Sequence, residues 1–191
     1  MIGQEKNQSK SSIRVVGLDL SRTCTGVCLL TDATYNSFTL RPQSLQGMEK
    51  LQTLRNLLFD KIDRFKPNLA VVEGYSFGSQ NKAFAIGEFA GIIKLGLYDR
   101  GIRTLIIPPK VVKRFISGNG DASKQEVREA IKAKYGWVIK SLDASDATAC
   151  ALLGKASLLK TSSYRSELET VHKLEIQKKT CARIPKPAIN L

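Results

Sequence analysis

The sequence predicts an α/β fold, a mixed five-stranded sheet with helices on both faces. Three short apolar or β-branched runs, at 13–20, 27–30 and 35–40, follow one another across brief connections, which makes an antiparallel meander. Two more runs, 69–73 and 103–107, alternate with helical patterns and extend the sheet by β-α units. The chain has 191 residues and is 42% hydrophobic, enough for one well-buried core.

In chain order, residues 1–11 are polar and form an expected flexible arm. Ile13 to Leu20 is a buried strand, Ser21 to Gly26 a turn, Val27 to Leu30 a second strand and Tyr35 to Leu40 a third. Met48, Leu51, Leu54, Leu58, Ile62 and Phe65 lie at helical spacing along one face, and Pro67 stops that helix. Leu69 to Glu73 is a strand that ends in an acid before Gly74. The segment from Lys82 to Arg100 is apolar almost all round, so it is covered on several sides, by the sheet and by a second subunit. Arg103 to Ile107 is the fifth strand, and Lys110 to Ile116 a short helix or turn. Ser123 and Glu126 form a capping box for a helix running to about Tyr135. Ser141 opens the last core helix, to about Leu159, and a further helix is expected from Glu167 to Lys178. The expected division is an arm at 1–11, a single folded domain at 12–157 and a basic extension at 158–191.

Thirty Lys and Arg oppose 17 Asp and Glu, a net charge of +13, which points to nucleic acid or an anionic surface as partner. The end is enriched, with eight Lys/Arg against three acids from Lys155 onward. No apolar run reaches the roughly 20 residues of a membrane helix, and the opening ten residues lack the apolar stretch of a secretory signal. Cys24, Cys28, Cys150 and Cys181 lack the paired spacing of a zinc site, and they read as reduced thiols with Cys28 and Cys150 in the core. His172 is the single histidine, which leaves little for Ser-His or Cys-His catalysis and points to carboxylates and metal.

Four acids stand out by position. Asp19 lies between two leucines in a buried strand, where a charge is costly without a strong partner. Glu73 ends an apolar strand. Asp143 and Asp146, three apart on a helix, point the same way, above Cys150 and Leu153 of the core. One or two carboxylates per ion, completed by phosphate and water, suit Mg²⁺. Two such ions roughly 4 Å apart hydrolyse phosphodiesters. Two of them also have a plainer reading, Asp143 as a helix-dipole partner and Glu73 as an ion-pair partner of a lysine, whereas Asp19 is harder to explain that way.

Val16-Gly-Leu-Asp19-Leu-Ser-Arg-Thr-Cys-Thr-Gly26 resembles the first strand and turn of the RuvC-type Holliday-junction resolvases. So do Ala70-Val-Val-Glu73-Gly-Tyr-Ser with its following helix, Gly118-Asn-Gly-Asp-Ala-Ser-Lys124-Gln-Glu-Val127, and Asp143-Ala-Ser-Asp146-Ala-Thr-Ala. The matches keep family order over about residues 12–157. The resemblance implies an RNase H-like fold and a Mg²⁺-dependent endonuclease, with two Mg²⁺ per site and Mn²⁺ able to substitute. It implies a homodimer acting on branched DNA, four-way junctions above all, and leaving 5′-phosphate and 3′-hydroxyl ends. The metal-binding carboxylates would fall on Asp19, Glu73, Asp143 and Asp146, and the family's lysine on Lys124, with Lys113 a second basic match. Tyr75 and Phe77 both match the loop aromatic that inserts at the junction, and Gln80, Asn81 and Lys82 suit phosphate contact. No membrane is implied, and a helicase partner is left open. The expected compartment is the cytoplasm of a bacterial or phage-infected cell, with an organelle left open. The arm and the segment after residue 157 have no family counterpart.

Three other readings compete. A junction-binding module without catalysis would share the basic charge but not need four acids. An RNA–DNA hybrid nuclease would share the chemistry. A sugar-kinase-like ATPase also opens with strand, Asp, turn and Thr-Gly, but needs two such domains.

Overall fold

The computed structural model describes residues 12–42, 44–74 and 80–181, with side chains described for all of these except 80–86, 166 and 175–181. The arm at 1–11, the loop aromatics Tyr75 and Phe77, and residues 182–191 lie outside the described residues. The elements are β1 (Arg14–Asp19), β2 (Thr25–Thr31), β3 (Tyr35–Leu40), α1 (Gly47–Phe65), β4 (Leu69–Glu73), α2 (Gln80–Asp99), β5 (Thr104–Ile107), α3 (Pro109–Ser117), α4 (Lys124–Tyr135), α5 (Leu142–Leu159) and α6 (Arg165–Cys181).

The sheet order is β3-β2-β1-β4-β5. β1, β2 and β3 form the antiparallel meander, and β4 and β5 join parallel to β1. The meander is longer than the composition suggests. β2 starts at Thr25 rather than Val27, because Gly26 pairs with Asp19 and Thr25 with Leu40. The Thr25 hydroxyl closes the turn by donating to the Ser21 carbonyl at 2.7 Å.

Period-two alternation splits the strands between two cores. Val16, Leu18, Ala70 and Val72 face one side, with Leu54, Leu58 and Ile62 of α1 and Phe89, Ile93 and Leu97 of α2. Val15, Leu69 and Val71 face the other, with α3, α4 and α5. The inward face of α1 differs from the expected set at its start. Met48 is 65% exposed, whereas Phe59, about three turns further along, is buried. The reason is Gly96 on α2, where an added Cβ would sit 2.3 Å from the Phe59 ring. Arg100 caps that ring from above at 4.0 Å.

α5 lies against the sheet at backbone distance. A Cβ on Gly17 would fall 2.0 Å from the Ala147 carbonyl oxygen, and one on Gly26 would fall 2.1 Å from the Asp143 carbonyl oxygen. Gly154 repeats the close approach against Val71 and Val15. The small side chains of Ala144, Ala147 and Ala151, all buried, complete this face. Glycine and alanine at these positions therefore set how far the N-terminus of α5 sits from the tip of β1.

Lys110 to Ile116 belongs to a regular helix, α3, which starts with Pro109 at its first turn and ends at Gly118 with φ +83. The segment after 157 also joins the core. Val171 and Leu174 of α6 belong to the cluster formed by α3, α4 and α5. Glu167 at the start of α6 is 1% exposed. It accepts from Lys134 Nζ at 3.1 Å, from the Tyr135 hydroxyl, and from Ser162 Oγ. Glu167→Ala removes the acceptor these three groups share, and is expected to cost about 3 kcal/mol, read from the urea midpoint. Cys28 and Cys150 are fully buried, and Cys24 nearly so.

Candidate active site

The alternation that buries Val15 on the α5 side of β1 puts Asp19 on that same side, at the strand's C-terminal tip. Leu69 and Val71 do the same for Glu73 on β4. β1 and β4 are parallel neighbours, with Leu18 beside Val72, so the two acids end adjacent strands side by side. α5 enters from above with Asp143 and Asp146 in its first turns. Oxygens of Asp19, Glu73 and Asp146 lie within 4.8 Å of one another. Asp143 stands outside this group of three, at its edge.

Lys124 fills the space between the acids. Its Nζ lies 3.0 Å from Asp19 Oδ2, 2.9 Å from Asp143 Oδ1 and 2.9 Å from Asp146 Oδ2. The helix start that carries it is rigidly set. Ser123 Oγ accepts from the Glu126 N–H, and the Glu126 carboxylate accepts from the Ser123 N–H at 2.7 Å. The capping box thus fixes the lysine's backbone while its four-carbon stem reaches across to α5 and β1.

Burial dominates the electrostatics. It pushes the Glu73 carboxyl up to about 8, helped by the charges of Asp19 and Asp146 and opposed by Lys124. Burial likewise raises Asp146 above the ordinary carboxylate range, although Lys124 pulls it back. Asp143 goes the other way. Burial works against its charge, but hydrogen bonds with Cys24 and Lys124 and the charges of Lys124 and Arg41 outweigh it and hold the carboxyl low. The Lys124 ammonium is desolvated too, yet the facing acids keep it above its usual value.

These residues suit a hard divalent cation. The donors are all carboxylate oxygens, and Asp146 Oδ1 is buried without a hydrogen-bond partner among the described residues. A metal bound by Asp19, Glu73 and Asp146 would pay that oxygen's desolvation and relieve the acid-acid repulsion. A pH dependence follows. Glu73 holds its proton to higher pH in the folded chain than its ordinary value of 4.5. The folded state therefore binds more protons, and metal-free stability falls as pH rises from that value through about 8. Thermal melts in EDTA are expected to show this decline. The rise in Tm on adding Mg²⁺ is expected to be larger above that range than at mildly acidic pH.

Of the other residues singled out in the sequence, Lys113 lies on α3, where its charge favours ionised Asp146 without an ion pair among the described residues. Gln80, Asn81 and Lys82 begin α2, but their side chains, like Tyr75 and Phe77, lie outside the described residues. One residue at the site, Arg41, is not marked by any sequence pattern, and Cys24 reads there only as a thiol. Arg41 follows β3 and donates from Nε to Cys24 Sγ at 2.9 Å, with its terminal nitrogen 3.8 Å from Asp143 Oδ2. The strand register brings the pair together, since Leu40 pairs with Thr25 and so sets Arg41 beside Cys24.

The β3-β2-β1-β4-β5 sheet, with acids at the tips of β1 and β4 and on the helix packed above them, defines an RNase H-like α/β protein. A family model described as crossover junction endodeoxyribonuclease RuvC matches residues 15–153. The crossover junction endodeoxyribonuclease RuvC of Treponema denticola is 28% identical over 154 residues, covering 75% of this chain and 85% of that protein. Thermus thermophilus RuvC is similar in structure, with a TM-score of 0.66 at 22% identity over 78% of this chain and 98% of that one. The same protein in complex with Holliday junction substrate gives 0.64 at 21% identity, over 73% and 91%. The chain belongs to the RuvC family of crossover junction endodeoxyribonucleases. Among the described residues no helix is long and apolar enough to cross a membrane.

Proposed function

We propose that this chain resolves four-way DNA junctions by metal-dependent hydrolysis of phosphodiesters, with Asp19, Glu73, Asp143 and Asp146 as its metal-binding and catalytic carboxylates. The observation that carries the reading is the three-acid cluster with its orphaned oxygen, Asp146 Oδ1. Two Mg²⁺ per site, replaceable by Mn²⁺, fit an all-oxygen donor set. Held by these carboxylates, such ions would supply an activated water and a positive charge for the leaving 3′ oxygen. The carboxylates hold and orient this centre, Asp19 and Glu73 from the rigid strand tips and Asp146 from α5. Asp143 completes the set from across Lys124. Lys124 Nζ donates to a non-bridging oxygen of the scissile phosphate, and Lys113 adds charge from α3. Tyr75 and Phe77 follow β4 in the sequence and Gln80, Asn81 and Lys82 begin α2, residue types suited to stacking at a junction and to phosphate contact. The net charge of +13 favours a polyanionic partner.

The active unit is a homodimer whose two sites cut symmetrically placed strands. Gly87, Gly91, Leu95 and Tyr98 follow one face of α2. Leu95 is 61% and Tyr98 80% exposed, and a Cβ on either glycine would meet open space. A second copy of the helix fits such a surface, apolar ridges beside glycine hollows. Leu95→Asp is expected to shift the protein to monomer in sedimentation experiments and to uncouple the paired nicks.

The testing experiment compares four-way junction, flap, splayed and linear DNA with Mg²⁺ and with EDTA, for the wild type and for Asp19→Asn. Paired nicks in the junction with Mg²⁺ alone, lost in a variant that still binds junction, are the expected result. Undiminished cutting by Asp19→Asn would refute the assignment.

A further inference from the structure

Lys124 makes more contacts than a phosphate-holding lysine needs. Its ammonium bonds three carboxylates at 2.9–3.0 Å, and two of them, Asp19 and Asp146, belong to the three-acid cluster. A divalent cation bound by Asp19 Oδ2 or Asp146 Oδ2 would lie beside that ammonium, and the two positive charges repel. Both cannot hold these oxygens at full strength.

The lysine is built to leave. Its backbone is pinned by the Ser123–Glu126 capping box, but its side chain is 42% exposed and opens toward solvent. The three acids come from β1 and α5, whereas Lys124 comes from α4, so its stem can swing without moving the carboxylates.

We propose that Lys124 is an exchangeable counter-ion. It neutralises Asp19, Asp143 and Asp146 in the free protein, competes with the divalent cation for them, and transfers to a DNA phosphate when substrate arrives. The inference rests on the metal-binding reading of the acids and adds a coupling to it. DNA that draws the ammonium away strengthens cation binding, and by linkage the cation strengthens DNA binding. The centre then assembles fully only on substrate.

Two measurements test it, neither using cleavage. The first titrates Mn²⁺ calorimetrically into DNA-free wild type, Lys124→Met and Lys124→Arg. Lys124→Met is expected to bind Mn²⁺ at least tenfold more tightly than wild type. Lys124→Arg keeps the charge and is expected to stay weak, and it supplies a folded comparison should the methionine variant be unstable. The second measures junction affinity in EDTA across a salt series, where Lys124→Met is expected to lower the slope by about 0.9. Equal or weaker Mn²⁺ binding by Lys124→Met, or tightened binding by Lys124→Arg, overturns the exchange, as does an unchanged salt slope. No Mn²⁺ binding by any of the three proteins overturns the metal-binding reading itself, a different outcome.

Discussion

Asp146→Asn is expected to lower junction cleavage by about 10³-fold while junction binding persists. Asp146 is 2% exposed, with Oδ2 on Lys124 and Oδ1 without a partner among the described residues. The amide removes one anionic ligand atom and puts an N–H donor into a nest of acids. The same change separates function from stability. Burial already disfavours the charge of Asp146, and its negative neighbours include Asp19. Removing the charge is therefore expected to leave the metal-free protein as stable as wild type, or more so. Single-turnover cleavage and urea unfolding in EDTA read the two effects separately. A parallel loss of both would make Asp146 a structural residue rather than a ligand.

Gly17→Val is expected to be the most damaging change at a residue that touches no acid. The new Cβ would meet the Ala147 carbonyl oxygen at 2.0 Å and the Ala151 nitrogen at 2.5 Å. Both are backbone atoms of a helix and cannot rotate aside. α5 must lift off β1, at a cost of about 3 kcal/mol in the urea midpoint. The displaced helix carries Asp143 and Asp146 away from Asp19 and Glu73, so cleavage is expected to fall even under conditions where the variant remains folded. A variant that is destabilised but cuts at wild-type rate would show that the helix-to-strand distance does not set the site.

The acids were legible in the sequence because each breaks a local rule. Asp19 interrupts a buried strand, Glu73 ends one, and Asp143 and Asp146 occupy the inward face of an otherwise small and apolar helix. The meander and β-α order followed from run lengths and short connections, with no tertiary information needed. What was not legible depends on contacts between distant segments. Phe59 is buried because Gly96, 37 positions along, leaves room for its ring. Arg41 reaches Asp143 only through the β2–β3 register. α6 reads as a basic extension by composition, yet Glu167, Val171 and Leu174 give it a buried seam. The separation of Asp143 from the other three acids also lay beyond the sequence. Helix spacing puts it on the same side as Asp146, whereas Arg41 and Cys24 hold it at the edge.

Anomalous diffraction from Mn²⁺-soaked crystals tests the central claim most directly. The expected result is Mn²⁺ density bonded to oxygens of Asp19, Glu73 and Asp146, with the Lys124 ammonium displaced from Asp19 and Asp146. Mn²⁺ bound elsewhere, with Lys124 still seated among its three carboxylates and the same preparation cutting junctions, would contradict it.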